Sequence, residues 1–202
     1  IMALFARAPE DAVKAGIDVL EKVVEYNGHR KNCNYEPIKI GIGIHTGKLM
    51  LGTVGEEERM DGTVISDVVN LASRLEGLTK FYGVSIIVTE EVLAGLDATS
   101  YLLRYLDKVQ VVGKNKIVKI YEIFTGDPRE LKEKKQKSLK VYKEALELYY
   151  ARDFRRALAY FKKLQEFSPV DSVFAVYETR CRDAIRYRVP EQWDGVMTFD
   201  SK

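Results

Sequence analysis

The stretch from Asp61 to Gly77, DGTVISDVVNLASRLEG, constrains this chain most, because a β-rich run turns within a few residues into an amphipathic helix. Thr63, Val64 and Ile65 suit a pleated strand. Ser66-Asp67 is the predicted helix start, with the Asp67 carboxylate placed to accept from a free N–H of the first turn. Val68, Leu71, Leu75 and Leu78 recur at helical spacing and predict the face held against a core. Asn70 and Arg74 are one turn apart, so both project from one side. A neutral amide beside a fixed cation, near the positive end of a helix, suits a sugar and a phosphate. A solvated helix face is the competing reading, and the helix alone does not choose between them.

The preceding residues predict a helix from Pro9, with Glu10 and Asp11 in its first turn and Asn27-Gly28 closing it. Val13, Ile17, Leu20, Val24 and Val23 are its expected buried stripe. His29 to Glu36 reads as a loop. Ile38, Ile40, Ile42 and Ile44 alternate strictly, as in a strand with one buried face, and Thr46-Gly47-Lys48 is the expected turn into a hairpin partner over Leu49 to Val54. Gly41 and Gly43, inside that strand, point to close approach of another backbone or of a ligand, and the structural reading is preferred. His45 is read as a packing residue because no second histidine lies near it. Further on, Val84 to Thr89 predicts a buried strand and Thr89-Glu90-Glu91 a short helix. Tyr101 to Val112 and Lys116 to Phe124 are β-rich, separated by Gly113-Lys114-Asn115.

From Pro128 the pattern becomes helical, with no strand signal. Val141, Ala145, Leu148, Phe154, Ala157, Phe161, Leu164 and Pro169 have spacings like those of the tetratricopeptide repeat, a helix–turn–helix of about thirty-four residues. Asp153-Phe154 is the turn, and Asp171 to Tyr187 a third helix. One such unit rarely buries its own faces, so it should lean on the rest of the chain or on a protein partner. Trp193 is expected to dock an extended tail, 190–202, on these helices.

Three segments resemble the class III nucleotide cyclases: IMALFARAPEDAVKAG (Ile1 to Gly16), GIGIHTGKLMLGTVGEEERMDGTVISDVVNLASRLEGL (Gly41 to Leu78) and VVGKNKIVKIYEIF (Val111 to Phe124). They occur in the family's order over roughly residues 1–125. The resemblance implies an α/β sandwich with a mainly antiparallel sheet and flanking helices, over residues 1–126; the helical hairpin module read from the spacing occupies 127–189. It implies a nucleotide cyclase that makes cyclic AMP or cyclic GMP and pyrophosphate; Thr63, where a hydroxyl is typical of adenylate cyclases, favours ATP over GTP. Arg74 would stabilise the transition state, Asn70 orient the ribose, Thr63 help read the base and Lys114 contact phosphate. Arg59 matches a family arginine taken as structural. Gly62 and Ser66 depart from the family's usual Tyr and Gly.

Family members use two divalent ions, Mg2+ or Mn2+, held by aspartates that would lie upstream of Ile1, so no metal ligand is expected in this chain. The apolar run Ile1 to Phe5, strand-like from its first residue, fits a chain entered in the middle of a sheet, the C-terminal part of a longer polypeptide inactive by itself. The family's site forms between two catalytic domains, so a homodimer is expected. A degenerate, non-catalytic dimerisation domain with a helical docking module is the alternative, and retention of Asn70, Arg74 and Lys114 argues against it.

Composition narrows the partners. A formal charge of +2 over 202 residues gives no ground for nucleic acid or an anionic membrane. Cys33 and Cys181 are too few for a disulfide framework and fit a reducing compartment, hence a cytoplasmic expectation. No apolar run is long enough to span a bilayer.

Overall fold

Four consecutive residues, Ile86–Thr89, are fully shielded from solvent and form the strand that the other elements surround. The computed structural model describes residues 1–54, 61–65, 67–111 and 117–199, with backbone only for 50–54, 61–65 and 111. In chain order the elements are α1 (Pro9–Asn32), β1 (Ile42–Ile44), β2 (Met50–Val54), β3 (Asp61–Ile65), α2 (Asp67–Tyr82), β4 (Ile86–Thr89), α3 (Glu90–Leu93), β5 (Leu103–Val111), β6 (Ile117–Ile123), α4 (Arg129–Tyr150), α5 (Phe154–Phe167), α6 (Ser172–Tyr187) and β7 (Met197–Phe199). The fold is α/β. Its main sheet runs β1-β4-β6-β5-β7, and β2 and β3 form a separate antiparallel pair. The sheet is antiparallel in its middle, β4 with β6 and β6 with β5, and parallel at both edges, β1 with β4 and β5 with β7.

The alternation of strand residues divides the core in two. Ile86 and Val88 face Val13, Ile17 and Leu20 of α1, together with Ile44, Val92 and Ile123. Ile87 joins Leu106, Val109, Val118 and Ile120 on the other face, where they meet Leu71, Leu75 and Leu78 of α2. Tyr142, Ala145 and Tyr149 of α4 and Phe174 and Tyr177 of α6 share that second core, so the helical segment leans on the sheet. Two of its helices, α5 and α6, begin where carboxylates cap them: Asp153 accepts from the Arg156 N–H at 3.2 Å, and Asp171 from the Val173 N–H at 3.4 Å. In β5 the register shifts between Tyr105 and Asp107. The carbonyls at this irregularity are taken up by the helical layer: Tyr142 donates to Tyr105 O at 3.0 Å and Tyr177 to Leu106 O at 2.5 Å.

Several expectations need correction. α1 does not stop at Asn27-Gly28 but runs to Asn32, and Val24 is half exposed. Asn27 is occupied otherwise: its amide donates to Ile38 O and its carbonyl accepts from Ile38 N, both at 2.7 Å. The helix closes instead at Cys33, and Asn34 takes the left-handed turn at φ 57°. Those two bonds also take the backbone groups of Ile38 away from a ladder, and β1 is only Ile42–Ile44. The predicted hairpin of β1 with β2 is absent. β1 pairs in parallel with β4, and β2 pairs with β3. At the expected turn, Gly47 lies against Val68 of α2, where a Cβ would meet Val68 Cγ2 at 2.7 Å. Ile1 to Phe5 forms no strand and is exposed. The C-terminal segment does hold a strand, since Met197, Thr198 and Phe199 pair with Val109, Gln110 and Val111. Trp193 docks as expected, edge-on to Tyr149 at 5.3 Å and to Phe154 at 5.2 Å.

Candidate active site

The helix α2 is set on the sheet by two glycines of the β1 segment. A Cβ at Gly43 would overlap Ala72 O and Glu76 N of the α2 backbone, and one at Gly41 would overlap Thr79 Oγ1. Thr79 in turn donates to Glu76 O at 2.6 Å. Helix and strand therefore approach backbone to backbone, which supports the structural reading of these glycines. With Leu71, Leu75 and Leu78 buried below, the rotation of the helix about its axis is fixed.

That rotation places Asn70 and Arg74 on the flank of the buried stripe, one turn and about 6 Å apart along the axis. Asn70 is exposed, in the first turn of α2 at its positive end, and Arg74 is partly buried one turn further in. Asp67 is the first helical residue. Thr63 lies on β3, the strand that leads into α2, opposite Gly52 of β2. Lys114 and Arg59 fall outside the described residues. The structure thus joins Asn70 and Arg74 on one helix flank and sets Thr63 on the adjoining strand. Chemically, such a flank offers an amide that both donates and accepts, and a planar guanidinium with several donors.

The Nδ1 of His45 lies 2.9 Å from the hydroxyl of the buried Thr89, a contact that joins the ends of β1 and β4. Among the described residues no three His, Cys, Asp or Glu side chains converge so as to hold a metal ion.

Two buried charge clusters escaped the sequence reading. Arg104 donates to Glu122 at 2.5 Å and, through both terminal nitrogens, to Asp171 at 2.7 and 2.8 Å; Lys135 joins Glu122 and Asp127. Burial works against the charge on Arg104, and the Glu122 and Asp171 carboxylates outweigh it, so its pKa rises. In the second cluster Asp107 accepts from Tyr82 at 2.6 Å, from Arg180 at 2.5 Å and from Tyr150 at 3.1 Å. Burial pushes the Tyr82 phenol well above its ordinary range, helped by the Asp107 carboxylate. The signal was present in LRYLD, 103–107, where charged residues occupy strand positions in an otherwise apolar pattern.

Residues 5–124 match the family model described as the adenylate and guanylate cyclase catalytic domain. The chain is 34% identical over 195 residues to the terminal-differentiation-specific adenylate cyclase of Dictyostelium discoideum, which covers 92% of this chain and 9% of that protein. It is 44% identical over 130 residues to an adenylate cyclase of Anabaena cylindrica, covering 61% of this chain and 26% of the relative. Among solved structures, the guanylyl cyclase Cya2 is similar at 26% identity and a TM-score of 0.48, over 64% of this chain and 66% of that one. The chain therefore spans between about a tenth and a quarter of the length of these two curated relatives. The Dictyostelium match extends well past the family model, so it includes much of the helical segment. On the match across residues 5–124, the chain belongs to the adenylate and guanylate cyclase catalytic domain family.

Proposed function

We propose that this chain is the catalytic-domain part of an adenylate cyclase, which converts ATP into 3′,5′-cyclic AMP and pyrophosphate. The observation that carries the reading is the Asn70–Arg74 pair, held on the flank of a helix whose rotation is fixed by Gly41 and Gly43. In the reaction the ribose 3′-oxygen bonds to the α-phosphorus of the same nucleotide. The bond from that phosphorus to the bridging oxygen breaks, pyrophosphate leaves, and the 3′-hydroxyl gives up its proton. Negative charge grows on the phosphorane oxygens and the leaving group, and a fixed guanidinium aimed there stabilises the transition state more than the ground state. Arg74 has that role in this proposal, Asn70 orients the ribose through its amide, Thr63 contributes to base choice and Lys114 binds phosphate.

Divalent ions, Mg2+ or Mn2+, belong to this reading as activators of the attacking oxygen and neutralisers of the triphosphate. In this reading the carboxylates that would hold the ions are supplied elsewhere in the enzyme that carries this chain. A homodimer is part of the same proposal: one catalytic domain gives the metal ligands and the other gives Asn70 and Arg74. This chain alone is then inactive. The helices at 127–189 are proposed as a tetratricopeptide-like unit open to a protein partner, and the cytoplasm as the compartment.

Product analysis of the enzyme that carries this chain, with ATP or GTP and Mg2+ or Mn2+, tests the reading. Cyclic AMP is expected. Cyclic GMP alone would keep the chemistry and overturn the role given to Thr63. No cyclic product from a folded dimer would favour a non-catalytic dimerisation domain.

A further inference from the structure

The C-terminal end of α2 is held from outside the family's matched residues. Tyr82, its last residue, is fully buried and donates to Asp107 of β5 at 2.6 Å. Arg180 of α6 binds the same Asp107 oxygen at 2.5 Å and the Tyr82 hydroxyl at 3.2 Å. Gly83 follows at φ 65°, and a Cβ there would meet Ser172, at the start of α6, at 2.5 Å from its Oγ and 2.7 Å from its Cβ. Phe199 of β7 packs edge-on against Phe81 at 5.1 Å and lies 6.4 Å from Tyr82. One end of the helix that bears Asn70 and Arg74 is thus gripped by α6 and β7, both beyond residue 124.

We infer that the C-terminal layer positions α2, with Arg180 and Tyr82 as positioning residues that act through Asp107 on where Asn70 and Arg74 sit. The inference rests on the proposed cyclase reading. Asn70 lies about 18 Å along the helix from Tyr82. A tilt of about 5° at the gripped end therefore displaces it by about 1.5 Å. A misplacement of about 1 Å can cost on the order of a hundredfold in rate. The bond from Arg180 to Asp107 is a buried, charge-assisted contact, the stronger kind of hydrogen bond.

The test uses Tyr82→Phe, which removes only the hydroxyl, and Arg180→Met, with Lys135→Met as a control. Lys135 is equally buried and ties α4 to Glu122 of β6 and to Asp127. Two readouts are taken: hydrogen exchange of residues 67–82, and kcat and KM for ATP in the enzyme that carries this chain. The expected result is at least tenfold faster exchange across 67–82 in Tyr82→Phe, with a kcat lowered about tenfold or more and KM changed less. Lys135→Met should lower the unfolding midpoint without either effect. Equal exchange in Tyr82→Phe and wild type, or equal acceleration in Lys135→Met, would overturn the inference. If Arg180→Met does not fold, Tyr82→Phe decides alone. An enzyme that makes no cyclic nucleotide, yet shows the expected exchange, would overturn the cyclase reading and leave the grip on α2 standing.

Discussion

Gly43 carries the contact on which the position of Asn70 and Arg74 depends. Its missing side chain lets the backbone of α2 at Ala72 and Glu76 come down onto β1. Adding one methyl in Gly43→Ala forces apart two backbones, which cannot swing away as a flexible side chain would. A loss of about 1–3 kcal/mol is expected, read as a lower denaturant midpoint with the slope unchanged. Gly28→Ala, on the open side of α1 with nothing near its Cβ, should be neutral or slightly stabilising and so serves as the comparison. At this scale the sequence was informative. The i, i+4 spacing of Asn70 and Arg74, the Leu71–Leu75–Leu78 stripe and the strand glycines each carried their meaning locally. Arg104, Asp107 and Glu122 did not, because a buried charge is explained only by partners distant in the chain, such as Asp171 and Arg180.

Among elements, strand and helix type was legible and strand pairing was not. Ile42 and Ile44 announce a half-buried strand, but whether β1 joins β2 or β4 is settled by what α1 and α2 need to cover. The end of α1 was misplaced because Asn27-Gly28 resembles a stop, while the amide of Asn27 in fact anchors Ile38. The helices α4 and α6 carry a chemical signature that a pH titration can read. Burial holds the phenols of Tyr142 and Tyr177 above the ordinary tyrosine value of 10.0. In the native state each keeps its proton at a pH where the unfolded chain has lost it. The stabilisation is therefore complete below about pH 10 and is lost as pH rises beyond it, by about 1.4 kcal/mol per phenol per pH unit. Denaturant midpoints should fall between about pH 10 and pH 11, and Tyr142→Phe should make the fall shallower. A flat profile to pH 11 would show that these phenols titrate alike in both states.

For the whole molecule, the helical layer and the sheet share one apolar core and exchange hydrogen bonds at the irregular part of β5. Ending the chain at residue 126 would remove Tyr142, Ala145, Tyr149, Phe174 and Tyr177 from the shared core and leave the Tyr105 and Leu106 carbonyls without their phenol donors. Residues 1–126 should then melt without a cooperative transition or precipitate, where the full chain unfolds cooperatively. A cooperative transition at the same midpoint would show that the layer is an appendage. Whether this chain brings a transition-state arginine to nucleotide cyclisation is decided by Arg74→Ala in the enzyme that carries it. The kcat for cyclic AMP should fall by about 10²–10³-fold, with dimerisation and unfolding midpoint retained. A kcat within about twofold of wild type in a folded dimer would contradict it.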